Sequence, residues 1–285
     1  MTEIKNILVA LDLSDIDSTL IEYASFIAEA LKVKKVYFVH NIKKYEISEL
    51  FEEQLKDLNL DEIIGDELNE KVEEKFTSSV EWEVLISEDP NSESLINYIV
   101  NKYKVQLALI GNKNKIKGTG VVSGKLLRML KCNILSIPKN AKPAVTNIWA
   151  GTDFSTASKK VFEVAENLQR TTEAKIKAVH VYSVPIQFSP YIPKEHLDVK
   201  IENHLKQKYE RFIKKIRFKG DLTSEIIPGR ENGVAVKLCA KAEASKADLI
   251  IVGDKGGNTF SSLVVGSVTE ELFNQDMEVP LWIVK

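Results

Sequence analysis

The feature that most constrains this chain is that it states one pattern twice. Asn6-Ile7-Leu8-Val9-Ala10-Leu11-Asp12-Leu13-Ser14 returns as Asn147-Ile148-Trp149-Ala150-Gly151-Thr152-Asp153-Phe154-Ser155. Val39-His40 returns as Val179-His180, and Leu109-Ile110-Gly111 as Ile251-Val252-Gly253. Both halves close on a short apolar run, Ile134-Leu135-Ser136-Ile137 and Leu281-Trp282-Ile283-Val284. The matches keep their order at a spacing of about 140 residues, too long for a solenoid repeat and right for duplication of a whole domain. Domains are therefore expected over 1–140 and 145–285, joined through the proline-bearing stretch Pro138 to Thr146.

Within each half, strand and helix signals alternate. Ile7 to Leu11 is a nearly unbroken apolar run, and Leu20, Tyr23, Ala24, Ile27, Ala28 and Leu31 then recur at helical spacing. Further strands are expected at Val36–Val39, Val80–Ile86, Leu107–Ile110 and Ile134–Ile137, with helices around Leu95–Val100 and Leu126–Leu130. The second half repeats the scheme, with strands at Ile148, Ala178, Ser224, Leu249 and Leu281 and helices near Val161, Leu205, Val236 and Leu272. Apolar strands alternating with helices imply an α/β fold: a parallel sheet covered on both faces, with right-handed crossovers. Two tandem doubly wound domains follow, each a five-stranded sheet in the order 3-2-1-4-5. Such sheets bind ligands at the carboxyl ends of their strands, where the winding direction reverses.

Composition narrows the partners. A net charge of -2 over 285 residues supplies no field to attract nucleic acid or an anionic membrane. No apolar run approaches the roughly 20 residues of a membrane span. Met1-Thr2-Glu3-Ile4-Lys5 leads directly into a strand, without the apolar core of a signal peptide, so a cytoplasmic protein is expected. Cys132 and Cys239 fall in different halves and read as two reduced, buried thiols. His40, His180, His196 and His204 are scattered, which gives no metal-ligand spacing, and His180 beside an apolar strand reads as structural.

The chemistry concentrates in one loop. After the fourth strand of the second half comes Gly253-Asp254-Lys255-Gly256, and nine residues beyond Gly256 stand Gly266-Ser267, opening a helix. Glycines at 253 and 256 let backbone N–H groups approach phosphate oxygens with no Cβ between them. Gly266 and Ser267 stand where a helix N-terminus favours an anion, and the Ser267 hydroxyl is suited to cap that helix or donate to phosphate. Thr152 and Asp153 close the first strand, which neighbours the fourth, so Asp153 and Gly253 should flank one crevice. A carboxylate beside phosphates is repulsive unless it meets a sugar hydroxyl, a base N–H or a metal. Asp153 thus reads as a ligand at the nucleoside or metal end, or else as a cap of the following helix; Ser155 is the better candidate for capping alone.

These residues resemble the universal stress protein family, once per half over nearly the whole chain. The family's phosphate motif, G-x2-G-x9-G-(S/T), is matched by Gly253, Gly256, Gly266 and Ser267. Its acid after strand 1 is matched by Asp153, and its strand-2 valine, whose backbone faces adenine, by Val181. The resemblance implies ATP binding, with Mg2+ as its companion, by Thr152, Asp153, Val181, Gly253, Gly256, Gly266 and Ser267. It also implies a stress-response binding module, in a family where many members have no clear reaction. The closing Val279–Val284 resembles the strand that pairs across family dimers; here the two closing strands would pair across an internal pseudo-two-fold, and a homodimer of tandem chains stays open because isologous surfaces remain.

The first half departs from that motif. Gly111 and Gly124 remain, but Asn114 replaces the second glycine, Lys125 the serine and Asn41 the adenine-facing valine, although Asp12 survives. No tight ATP site is expected there. Its loop is cationic instead, with Lys113, Lys115 and Lys117, and the stretch from Glu46 to Glu74 interleaves acids with apolar residues as amphipathic helices do. Three readings stay open at this level: a nucleotide-dependent binding module, an interaction scaffold with both sites idle, and a slow ATPase, though no base–nucleophile pair accompanies the loop.

Overall fold

The computed structural model describes residues 3–43, 59–112, 120–182, 194–229, 233–256 and 265–285, with backbone alone for 120–123 and 194–199. Asn114, the three loop lysines, the His196 side chain and the acidic stretch before residue 59 lie outside the described residues. The chain divides at Ala144–Val145 into two compact units.

In the first unit, β1 (Asn6–Leu11), α1 (Ile16–Leu31), β2 (Lys35–Asn41), α2 (Leu60–Lys75), β3 (Glu81–Ser87), α3 (Ser92–Lys102), β4 (Leu107–Asn112), α4 (Gly120–Met129) and β5 (Asn133–Pro138) alternate along the chain. The sheet runs β3-β2-β1-β4-β5, every pair parallel. In the second unit the elements are β6 (Asn147–Gly151), α5 (Lys159–Thr172), β7 (Lys175–Tyr182), α6 (Lys194–Ile216), β8 (Leu222–Pro228), α7 (Val234–Ala244), β9 (Leu249–Gly253), α8 (Ser267–Phe273) and β10 (Leu281–Val284). The order β8-β7-β6-β9-β10 repeats the first, again parallel throughout. Each is the doubly wound 3-2-1-4-5 sheet that the alternation predicts.

The unbroken apolar runs are explained by burial on both faces. Ile7, Leu8 and Val9 in β1, and Ile148, Trp149 and Ala150 in β6, have no exposed surface. Helices cover the sheet: α1 buries Leu20, Tyr23, Ala24, Ile27 and Ala28 and also Ile16, Ile21 and Ala30, whereas α5 buries the single stripe Val161, Phe162, Val164, Ala165 and Leu168. Both helices end on a left-handed residue, Lys32 (φ 53°) and Glu173 (φ 55°), which turns the chain into the next strand. Of the amphipathic stretch, α2 buries Leu68 and Val72 and leaves Ile63 about half exposed (49%).

The topology places one opening in each half. β6 is bordered by β7, which follows it in sequence, and by β9, reached after the winding reverses. Crossovers leave on opposite faces on either side of β6, and the carboxyl ends of β6 and β9 are left uncovered between them.

Candidate functional site

A cavity of about 310 Å³ opens at those strand ends. Its lining includes Thr152, Asp153, Val181, Gly253, Gly256, Gly266 and Ser267, the seven residues singled out from the sequence. Sequence reasoning passed over Ser158, Val179, Val234, Leu238, Val252 and Thr269, which line it too. One end is therefore an apolar slot of valines and a leucine, and the other a rim of glycines and hydroxyls. Its size lies at the lower end of the range for small-molecule sites.

The acid side is built by the turn leaving β6. Asp153 Oδ1 accepts from the Ser155 N–H (2.9 Å) and the Ser158 hydroxyl (2.7 Å), and the Asp153 N–H reaches Ser158 Oγ at 3.3 Å. Asp153 thus braces its own turn through one oxygen; the cap position of α5 is Ser158, which makes no side-chain capping bond. Phe154 holds φ 62°, a strained value for an aromatic residue, and its N–H is bound by the Thr152 hydroxyl (2.9 Å). The Phe154 ring lies 4.4 Å from that of His180, and Phe212 and Tyr209 close the cluster.

His180 Nδ1 lies 2.7 Å from the carbonyl oxygen of Thr152. A carbonyl only accepts, so Nδ1 carries the proton. Burial pushes the His180 pKa down, so the ring is neutral at physiological pH. The ring ties β7 to the residue before Asp153, and it also lines the cavity.

The loop side is clasped at both ends. The Gly266 N–H donates to Asp254 O (2.7 Å) and the Thr269 hydroxyl to Gly253 O (2.7 Å), which brings the ends of the long loop together. The glycines are needed for contact. A Cβ on Gly256 would lie 3.1 Å from Asp153 Oδ2, and one on Gly266 3.3 Å from Asp254 O. Gly256 and the second oxygen of Asp153 are thus the facing lips of one cavity.

The first unit holds the same frame with different contents. Asp12 stands where Asp153 does and accepts from the Ser14 hydroxyl (2.6 Å). In place of Ser158 is Asp17, fully buried, whose carboxylate receives the N–H groups of Asp12 (3.2 Å) and Leu13 (2.8 Å). Burial pushes the Asp17 pKa up, the neighbouring charge of Asp12 adds to this, and the backbone bonds oppose it. Leu13 repeats the left-handed turn residue with φ 62°. Asn41, in the place of Val181, donates to Asp89 O (2.8 Å) and Ser92 Oγ (2.9 Å) and accepts from the Asp89 N–H (2.8 Å). Lys125, in the place of Ser267, pairs with the buried carboxylate of Glu93 and holds its pKa below the usual range. Ile16 crowds Gly111, with its Cδ1 at 3.0 Å from a Cβ placed there. Asn41 and Lys125, read from sequence as losses, are thus bonded within the fold of the first unit.

Comparison with known proteins agrees with this architecture. A profile of the universal stress protein family matches residues 145–285. A universal stress protein of Methanocaldococcus jannaschii is 28% identical over 168 residues, 56% of this chain and 94% of that protein. Among solved structures, a universal stress protein from Archaeoglobus fulgidus superposes with a TM-score of 0.65 at 17% identity, over 99% of this chain and 97% of that one. A functionally unknown protein from Pseudomonas aeruginosa superposes with a TM-score of 0.66 at 16% identity, over 99% and 92%. At such identities the structures speak for the fold alone. Among the described residues no helix is long and apolar enough to cross a membrane, and no group of three or more His, Cys, Asp or Glu is placed to hold a metal.

Proposed function

With residues 145–285 belonging to the universal stress protein family, we propose that this half binds ATP in the cavity between β6 and β9, and that the chain acts as a nucleotide-dependent stress-response module. One observation carries the reading: the acid Asp153, the strand residue Val181 and the four motif residues Gly253, Gly256, Gly266 and Ser267 line one cavity, though they lie up to 114 residues apart (267 minus 153). The apolar slot of Val179, Val181, Val234 and Leu238 suits a purine, and the glycine rim suits a phosphate chain. Asp153 Oδ2 is the acceptor for a ribose hydroxyl or a base N–H. Mg2+ would arrive on the phosphates, since a magnesium ion needs few protein ligands beside substrate oxygens and water.

The reading is of binding rather than turnover. The loop motif carries no base–nucleophile pair in its sequence, while His180 Nδ1 donates to the Thr152 carbonyl and Asp153 Oδ1 braces its own turn. Occupancy would instead stabilise this half by linkage, about 2.7 kcal/mol when ligand stands at 100 times its Kd. The first half is proposed as a universal stress protein-like domain with a degenerate loop and no bound nucleotide.

The test is to denature freshly purified protein and quantify released adenine nucleotide. One nucleotide per chain is expected. Two would overturn the silence of the first half. None, with no calorimetric response to ATP and magnesium, would overturn ATP binding itself and leave the scaffold.

A further inference from the structure

A second, larger cavity of about 850 Å³ adjoins the first. It is walled by the turn from Asp153 to Ala157, by Lys160 on α5, by the end of β9 and by Val284 and Lys285 beyond β10. Asp153, Gly253, Lys255 and Gly256 belong to both linings, so the two spaces meet along the glycine lip. Three ammonium groups surround the second. Lys160 Nζ donates to the main-chain oxygen of Lys285 (2.9 Å), which joins the two residues at one wall. Lys255 and Lys285 share the Asp254 carboxylate at 3.9 and 4.0 Å. A fourth cation, Lys215, reaches the rim by donating to Thr156 Oγ1 at 3.2 Å.

The first half supplies an internal control. By the alignment of the two turns, Thr156 corresponds to Asp15 and Lys160 to Thr19. There the same place is neutralised from within: Lys139 pairs with Asp15 (2.9 Å), and Thr19 Oγ1 donates to Lys139 O (2.8 Å). Replacing an acid by threonine and threonine by lysine makes these two positions more positive by two charges, of which Asp254, standing where the first half has Asn112, offsets one.

We propose that this cavity binds an oligophosphate, holding phosphoryl groups that lie beyond the reach of the glycine loop. Lysines suit such a ligand, because each is a compact point charge on a flexible stem that follows a charged chain without demanding one geometry. The phosphoryl groups come either from a nucleotide with more than three phosphates or from a free inorganic chain. The first source rests on the ATP reading of the neighbouring cavity; the anion site itself does not.

Calorimetry on the full chain tests this with inorganic tripolyphosphate, ATP and adenosine tetraphosphate as probes. The variants are Thr156→Asp and Lys160→Thr, which copy the first half at two exposed positions outside the nucleotide cavity. Tripolyphosphate is expected to bind, and each variant to weaken it about five- to tenfold by removing or opposing one local charge, with ATP affinity unchanged. Tetraphosphate binding tighter than ATP, with the preference lost in both variants, assigns the site to a longer nucleotide. Tripolyphosphate binding alongside bound ATP assigns it to a free chain. No tripolyphosphate binding, or binding indifferent to both substitutions, overturns the proposal. Lys160-dependent tripolyphosphate binding in a protein that does not bind ATP would sustain this site and remove the nucleotide reading alone.

Discussion

The two halves share a backbone plan and differ in how they satisfy the groups around one crevice. At positions 41, 93 and 125 the first half places Asn, Glu and Lys, all bonded to partners within the fold. At the corresponding 181, 235 and 267 the second half places Val, Ala and Ser. Bonded polar side chains hold these places in the first half, whereas in the second Val181 and Ser267 line an open cavity. Where polar replacements find each other, their hydrogen bonds are met within the fold, and a satisfied pair asks nothing of a ligand.

The largest expected effect comes from carrying one first-half residue across. Gly256→Asn copies Asn114, and its Cβ alone would crowd Asp153 Oδ2 at 3.1 Å. ATP affinity should fall at least about 100-fold, roughly 2.7 kcal/mol, with the melting temperature of the unliganded chain held. Unchanged calorimetric affinity would remove the loop from the site and with it the basis of the comparison.

The reverse transfer should cost stability and gain nothing. Asn41→Val removes three hydrogen bonds and leaves the Asp89 N–H without the acceptor it has now, a loss of about 2 kcal/mol. Denaturant unfolding should register it, and nucleotide content should stay at one per chain. A second nucleotide per chain would mean that Asn41 alone keeps the first crevice shut.

The smallest effect sharpens the contrast through pH. His180 has a depressed pKa in the fold, so its contribution is intact above the ordinary value of 6.5 and is lost as pH falls through it. Asp17 has a raised pKa, so its contribution is complete below the ordinary 3.8 and is lost as pH rises through the raised value. Acidification from pH 7 towards 4 should therefore loosen β6 and β7 relative to β1 and β2. Hydrogen exchange, corrected for intrinsic rates, reads this in one sample; parallel trends in the two halves would discard both assignments.

The fold was legible because its signals are local. Runs such as Ile7-Leu8-Val9 can be uninterrupted only where both faces are covered, and helix stripes such as Leu20, Tyr23, Ala24 and Ile27 repeat with the turn of the helix. The seven nominated residues share one cavity because strand ends converge at the switch point, which topology alone dictates. Ser158 was missed, although the repeat itself offers a signal: it stands opposite Asp17, and the two receive the N–H groups of the equivalent acids Asp153 and Asp12. Asp89, Ser92 and Glu93 carried no such signal. They become partners of Asn41 and Lys125 only once β2, α3 and α4 are packed, and no spacing rule links positions 41 and 89.

The Asn41 contacts also bear on reversibility over evolutionary time. A lineage that placed valine at 41 would first pass through a chain with a stranded backbone donor, while the Lys125–Glu93 pair and the buried Asp17 stayed in place. Restoring serine at 125 first would strand Glu93 instead. Each single step of that kind is uphill until several are taken together, so the bonded set behaves as a ratchet. Selection is then free to reshape the outer surface of the first half without disturbing these contacts.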